Sequence, residues 1–149
     1  MPSKGDNMIK PLLFAAGLVI FAAGCASGPK FSEYRPTVSP PATGDGRIWF
    51  YRPSAFGAAV QPAVNLDGGS VGNAVPHGFF YVDTRPGSHE VSCTTEWTHK
   101  ASVNVESNQD KYVRLEIMMG LFVGHIVPKE VPESKALKEM NDLHLASPK

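Results

Sequence analysis

The sequence predicts a mainly β protein: a single antiparallel β-sandwich of seven to eight strands with a short C-terminal helix, preceded by an export signal and a flexible tether. Three observations carry this. From Arg47 onward apolar side chains recur with a period of two in runs of four to eight residues. Gly, Pro, Asn and Asp punctuate those runs at short intervals. Strands do not alternate with helices, which excludes a doubly wound parallel sheet, and a small barrel is the runner-up architecture.

The chain opens on Lys4 and Lys10, followed by Leu12 to Ala23, a run of 12 residues without a charged or strongly polar side chain. A spanning helix needs about 20 such residues, whereas the core of a secretory signal needs about 7–15. The run closes on Ala22-Ala23-Gly24-Cys25, with Ala22 where Leu is commoner. Small residues before a cysteine suit a lipoprotein signal peptidase, so residues 1–24 read as a lipoprotein signal peptide and Cys25 as the acylated first residue of the mature chain. Its partner would then be the membrane, since two or more acyl chains anchor stably. Ala26, rather than Asp, follows Cys25, and in didermal bacteria that favours sorting to the outer membrane, facing the periplasm.

Residues 25–45 form the second segment, the lipidated cysteine and its tether. Pro29, Pro36, Pro40, Pro41 and Gly44 interrupt it and no periodicity is visible. Its two large apolar side chains, Phe31 and Tyr34, have two destinations: the domain surface or the headgroup layer.

The third segment, 46–149, is the folded domain. Arg47 to Arg52 is β-branched and aromatic and stops at Pro53. Ala63 to Leu66 meets Asp67-Gly68-Gly69, a hairpin turn, and returns over Ser70 to Val75. Gly78 to Asp83 is a second aromatic strand, ended by Arg85-Pro86-Gly87-Ser88. His89 to Thr95 follows. Ala101, Val103 and Val105 alternate with polar neighbours, Asn108-Gln109-Asp110 turns the chain, and Val113, Leu115 and Ile117 alternate again. A last strand spans Leu121 to Val127. Pro132 opens a helix over Glu133 to Leu143 with Ala136, Leu137, Met140 and Leu143 on one face.

Several of these blocks match a known family. Gly46-Arg47-Ile48-Trp49-Phe50-Tyr51-Arg52-Pro53-Ser54, Val64-Asn65-Leu66-Asp67-Gly68 with Val71-Gly72, Gly78 to Asp83, Pro86-Gly87-Ser88-His89-Glu90-Val91 and Tyr112-Val113-Arg114 resemble bacterial lipoproteins with domain of unknown function 2846. The resemblance runs from about Gly46 to Leu143. It implies a lipoprotein and a small envelope β-sandwich, and no activity, substrate or catalytic residue.

Composition narrows function by exclusion. Beyond residue 24 there are 125 residues with 12 basic and 13 acidic side chains, a balance with no dedicated nucleic-acid surface. With Cys25 acylated, Cys93 is the remaining thiol, reads as a small buried hydrophobe and leaves no intrachain disulfide. His77, His89, His99, His125 and His144 show no metal-ligand spacing, so neither a metal nor another cofactor is expected. Gly69-Ser70-Val71-Gly72 is no nucleophile elbow, and Glu106, Asp110 and Glu116 are scattered. No catalytic residue emerges and the protein is read as non-enzymatic. Trp49 and Tyr51 share one strand face, opposite Ile48 and Phe50, and Phe79 and Tyr81 oppose Phe80 and Val82. Such strands are either buried on both faces or carry a binding patch, here Trp49, Tyr51, Phe79 and Tyr81. The reading is thus a membrane-anchored binding or structural module for an envelope protein or wall polymer. A wall hydrolase or a small-ligand or lipid carrier is the alternative.

Overall fold

Alternating side chains give each strand two faces, and what covers those faces sets the layering. The computed structural model describes residues 24–146 apart from Val123, so the segment read as the signal, save Gly24, lies outside the described residues. The strands are β1 (Gly46–Arg52), β2 (Ala63–Leu66), β3 (Gly69–Asn73), β4 (Gly78–Thr84), β5 (Gly87–Thr94), β6 (Thr98–Val105), β7 (Asp110–Met119), β8 (Gly124–Val131) and β9 (His144–Leu145). They form one sheet in the order β8-β7-β1-β4-β9 and another in the order β3-β2-β5-β6. Their facing sides enclose Ile48, Phe50, Val64, Val91, Cys93, Val103, Val113, Leu115 and Ile126, the sandwich core.

The outer face of the larger sheet carries a second core. Trp49, Tyr51, Phe79 and Tyr112 lie beneath Phe31 of α1 (Phe31–Tyr34) and beneath Ala136 and Met140 of α2 (Glu133–Met140). All seven residues of β1 are buried, because sheet lies on one side of it and helix on the other. The helical cover is clipped by hydrogen bonds from Tyr51 Oη to Glu139 (2.6 Å) and from Tyr112 Oη to Glu133 (3.0 Å). Arg35 Nη2 donates to Tyr112 Oη at 3.0 Å and to Asp110 at 3.2 Å.

Three features differ from the sequence expectation. The pairings β1–β7 and β4–β9 are parallel, while the rest are antiparallel. The last long strand starts at Gly124, not Leu121, and runs on to Val131 through Pro128. β8 is an edge strand, where a residue lacking an N–H leaves no ladder bond unmade. Finally, part of the segment read as a tether is seated on the domain. Ala26 N donates to Pro76 O, Gly28 N to Leu145 O and Phe31 N to Leu143 O. Of the two destinations for Phe31 and Tyr34, the structure takes the domain surface, and Phe31 is buried edge-on against Trp49 and Phe79.

The register gives the sandwich two ends. At the Gly46 end lie the Asp67-Gly68 turn, the Arg85-Pro86 connection and the Glu106 to Gln109 turn. Asp67 and Gly68 both have positive φ, as a tight two-residue hairpin turn requires. At the Arg52 end lie the loop 53–62, the segment 74–77, the β5–β6 turn at 95–97 and the β7–β8 tip.

Candidate functional site

Three of the four residues proposed as a binding patch are interior. Trp49, Tyr51 and Phe79 are buried, and the half-buried Tyr81 completes an aromatic cluster with a Trp49–Tyr81 centroid separation of 4.9 Å. Tyr51 stands apart, its hydroxyl spent on Glu139. The β1–β4 register sets Trp49 opposite Tyr81 and Tyr51 opposite Phe79, which is why the four share a face. That face is open in the isolated sheet, and Phe31, Ala136 and Met140 close it. Arg47 finishes the rim. It is buried, lies 4.3 Å above the Tyr81 ring, and pairs with Asp83 through Nε at 2.6 Å and Nη2 at 2.9 Å.

Tyr81 instead opens onto a cleft of about 220 Å³ lined by Tyr34, Val71, Gly72, Asn73, Phe80, Tyr81, Leu145 and Ala146. The cleft lies where β3, β4 and β9 approach one another. Its floor is tight: a Cβ on Gly72 would stand 2.8 Å from the Phe80 ring, so only glycine lets β3 pass. Small-ligand sites usually enclose ~300–1,000 Å³, and the cleft lies below that range.

Three of the five histidines, His89, His125 and His144, make hydrogen bonds that hold structure together. His89 Nδ1 lies 2.6 Å from Asp67 and Nε2 lies 2.8 Å from the Arg85 carbonyl, which ties β5 to the turn before it and to the β2–β3 hairpin. Burial opposes charge on His89, but Asp67 and Arg85 outweigh it and its pKa is raised. The hydrogen bond from His89 and the Glu90 amide hold Asp67 below its ordinary range. The buried His125 bonds Thr95 Oγ1 through Nδ1 at 2.8 Å and stacks on Trp97. His144 Nδ1 reaches the Gly28 carbonyl at 2.7 Å. Among the described residues no three His, Cys, Asp or Glu side chains gather as a metal site would require. Burial pushes the Cys93 thiol up to about 12, far from thiolate chemistry at neutral pH.

Arg52, at the end of β1, is fully buried, and its partners among the described residues are backbone carbonyls. It donates to the carbonyls of Val60 (2.6 Å), Phe56 (2.7 Å), Ala74 (2.8 Å) and Gly57 (2.9 Å). One guanidinium thereby holds the irregular loop 53–62 in place, a use that needs the fork of donors Arg has and Lys lacks. Cys25 is exposed beside this assembly: the preceding Gly24 carbonyl lies 3.5 Å from Gln61 Nε2, and Ala26 is bonded to Pro76. No helix among the described residues is long and apolar enough to cross a membrane.

Sequence reasoning missed Arg52 and the β7–β8 tip. Arg52 looks like an ordinary strand-end cation, and its four carbonyl partners come from irregular chain. The tip does carry a local mark: the alternation of β7 breaks into Ile117-Met118-Met119-Gly120-Leu121-Phe122, apolar at every position but a glycine.

A sequence model described as "Protein of unknown function (DUF2846)" matches residues 42–126, from just before β1 into β8, and stops short of the helical cover. An uncharacterized protein of Haemophilus influenzae is 25% identical over 135 residues, covering 87% of this chain and 80% of its own length. No solved structure matches. With more than half of its length matched, the chain belongs to the DUF2846 family of proteins of unknown function.

Proposed function

We propose that this protein is a lipid-anchored envelope module that binds or supports a partner without catalysing a reaction. The observation that carries the reading is the position of Cys25. It follows the apolar run Leu12 to Ala23 and small residues, is exposed, and immediately precedes the first backbone bond of the domain, Ala26 N to Pro76 O. An acyl group on its sulfur would tie the folded domain to the membrane with almost no intervening chain. The non-enzymatic part rests on the engagement of His89, His125 and His144 in structural bonds and on a sealed Cys93. The small cleft beside Tyr81 favours a partner's side chain over a carried lipid. The partner is an envelope protein or wall polymer, and Ala26 favours the outer membrane, facing the periplasm.

The test is metabolic labelling with an alkyne fatty acid, followed by membrane fractionation. Wild type is labelled and sediments with outer-membrane markers, whereas Cys25→Ser is unlabelled and unprocessed. Label retained by Cys25→Ser, or wild type recovered soluble with an unmodified N-terminus, overturns the anchor. Recovery wholly with inner-membrane markers overturns the sorting alone.

A further inference from the structure

Six large hydrophobic side chains are exposed among the described residues: Phe56, Trp97, Met118, Met119, Leu121 and Phe122, at 55 to 89% of their full surface. All six lie at the Arg52 end. Phe56 is in the loop that Arg52 holds, Trp97 is in the β5–β6 turn, and the other four form the β7–β8 tip. Tyr51 pairs with Arg114, so Arg52 is level with Leu115 and β7 continues four residues beyond it to Met119. At ~3.3 Å per residue, the tip projects about 13 Å past the end of β1. Gly57 packs under Ile117 at its base, and Trp97 stacks on His125 with centroids 5.2 Å apart, so loop, turn and tip form one surface.

The same end carries Cys25, and the chain outside the structure leaves from it. The loops and tip that carry these six side chains are also nearly free of charge. Residues 53–62 and 118–124 contain no Asp, Glu, Lys or Arg, and Glu96 is the one charged residue of the 95–97 turn. Exposed apolar groups grouped this way mark an interaction surface, and aromatic side chains with a polar handle suit the bilayer interface.

We infer that the Arg52 end is a membrane-docking face: with Cys25 anchored, Trp97, Met118, Met119, Leu121 and Phe122 enter the headgroup and outer acyl region of a lipid bilayer. This rests on the anchored reading of Cys25 and adds an orientation, with the β strands standing roughly upright and the Gly46 end directed away from the membrane. An acyl chain on Cys25 and the apolar tip then hold the domain at two points, which sets its orientation as well as its distance.

The two tryptophans give the test a built-in reference, since Trp49 is buried and Trp97 is 58% exposed. The full chain, produced in its own host and isolated from membranes, is reconstituted into phosphatidylethanolamine–phosphatidylglycerol vesicles carrying brominated acyl chains. Its Cys25 peptide is weighed in parallel. Quenching in wild type should exceed several-fold that in Trp97→Phe, which retains only Trp49. L121S/F122S should keep the acyl mass on Cys25 yet lose most of the quenching, and without the acyl group its vesicle affinity should fall roughly 10- to 100-fold below that of the matching unacylated chain. An acylated chain whose Trp97 escapes brominated lipid overturns the docking face. Protection of that Trp97 from aqueous iodide would assign the face to a protein or a second copy, and accessibility to iodide would leave it in solvent. If Cys25 carries no acyl group, the anchored reading fails by itself. The docking face is then read by coupling the Cys25 thiol to a maleimide phospholipid, Cys93 being buried and unreactive.

Discussion

The two ends of the sandwich are built from the same strands and differ in their connections. At the Gly46 end the turns are short and polar, with Asp67-Gly68, Arg85-Pro86 and Ser107-Asn108-Gln109 each setting local backbone geometry. At the Arg52 end the loop 53–62 is long and irregular and the β7–β8 tip is apolar, and one buried guanidinium holds that loop from within. The lesson is that a turn specified by its own residues can afford a solvated surface. A loop held by a partner distant in sequence leaves its own side chains free to serve as a contact surface.

The sharpest way to break this comparison is to remove the holder. Arg52→Ala removes the side-chain donor to the carbonyls of residues 56, 57, 60 and 74, of which Gly57 O still accepts from the Val60 amide; at about 1–3 kcal/mol for each carbonyl left unmet before solvent enters, a net loss of about 3 kcal/mol is expected in urea unfolding. Arg52→Lys should recover only part of it. A loss below about 1 kcal/mol would show that the loop holds itself.

Next comes a matched pair of tryptophans. Trp49→Ala removes a side chain sealed under Phe31 and should cost about 3–5 kcal/mol. Trp97→Ala loses only a surface stack on His125 and should cost about 0.5–1 kcal/mol. Equal losses in thermal unfolding would erase the distinction between core and exposed aromatics.

At the polar end, Gly68 sits at φ 83°, where a side chain is strained, so Gly68→Val should cost about 1–2 kcal/mol through the turn alone. An unchanged melting temperature would mean that the turn is not self-specified.

A smaller effect is the pH dependence of the His89–Asp67 contact. Because the His89 pKa is raised, its contribution is complete below its ordinary 6.5 and is lost as pH rises through the raised value. Because the Asp67 pKa is lowered, its contribution is complete above its ordinary 3.8 and is lost as pH falls through the lowered value. Wild type should therefore exceed His89→Gln in stability most between these two values, and the gap should narrow under alkaline conditions. A gap that grows as pH rises above neutrality would reverse the assigned protonation. The smallest expected change is that of L121S/F122S, whose folding stability should stay within about 0.5 kcal/mol of wild type because neither side chain is packed.

Much of the fold was legible from local pattern. β1, β2, β4 and the start of α2 lie within a residue of where periodicity and turn chemistry put them, since period-two alternation and Asp-Gly or Pro-Gly turns are written in adjacent residues. The pattern was silent on β9, two residues long, which pairs with the first two residues of β4 only after α2 has returned the chain to that place. It was also silent on the neighbour of β1: sheet order brings β7 alongside in parallel, across more than fifty residues of intervening chain.

For the candidate site, the sequence by itself determined which residues are aromatic, where the strands alternate, and that a cysteine follows small residues at the end of an apolar run. It also determined that Trp49, Tyr51, Phe79 and Tyr81 share one face, because strand geometry fixes side-chain direction residue by residue. Only the tertiary structure decided that Phe31 and α2 would cover that face, turning a possible patch into a second core. Burial depends on which other segment arrives, and those segments lie on either side of the strands in the chain, from Phe31 to Met140. The tertiary structure likewise drew Cys25, Arg52, Trp97 and Phe122 to one end, because strand direction and register, which no single segment encodes, determine which loops become neighbours.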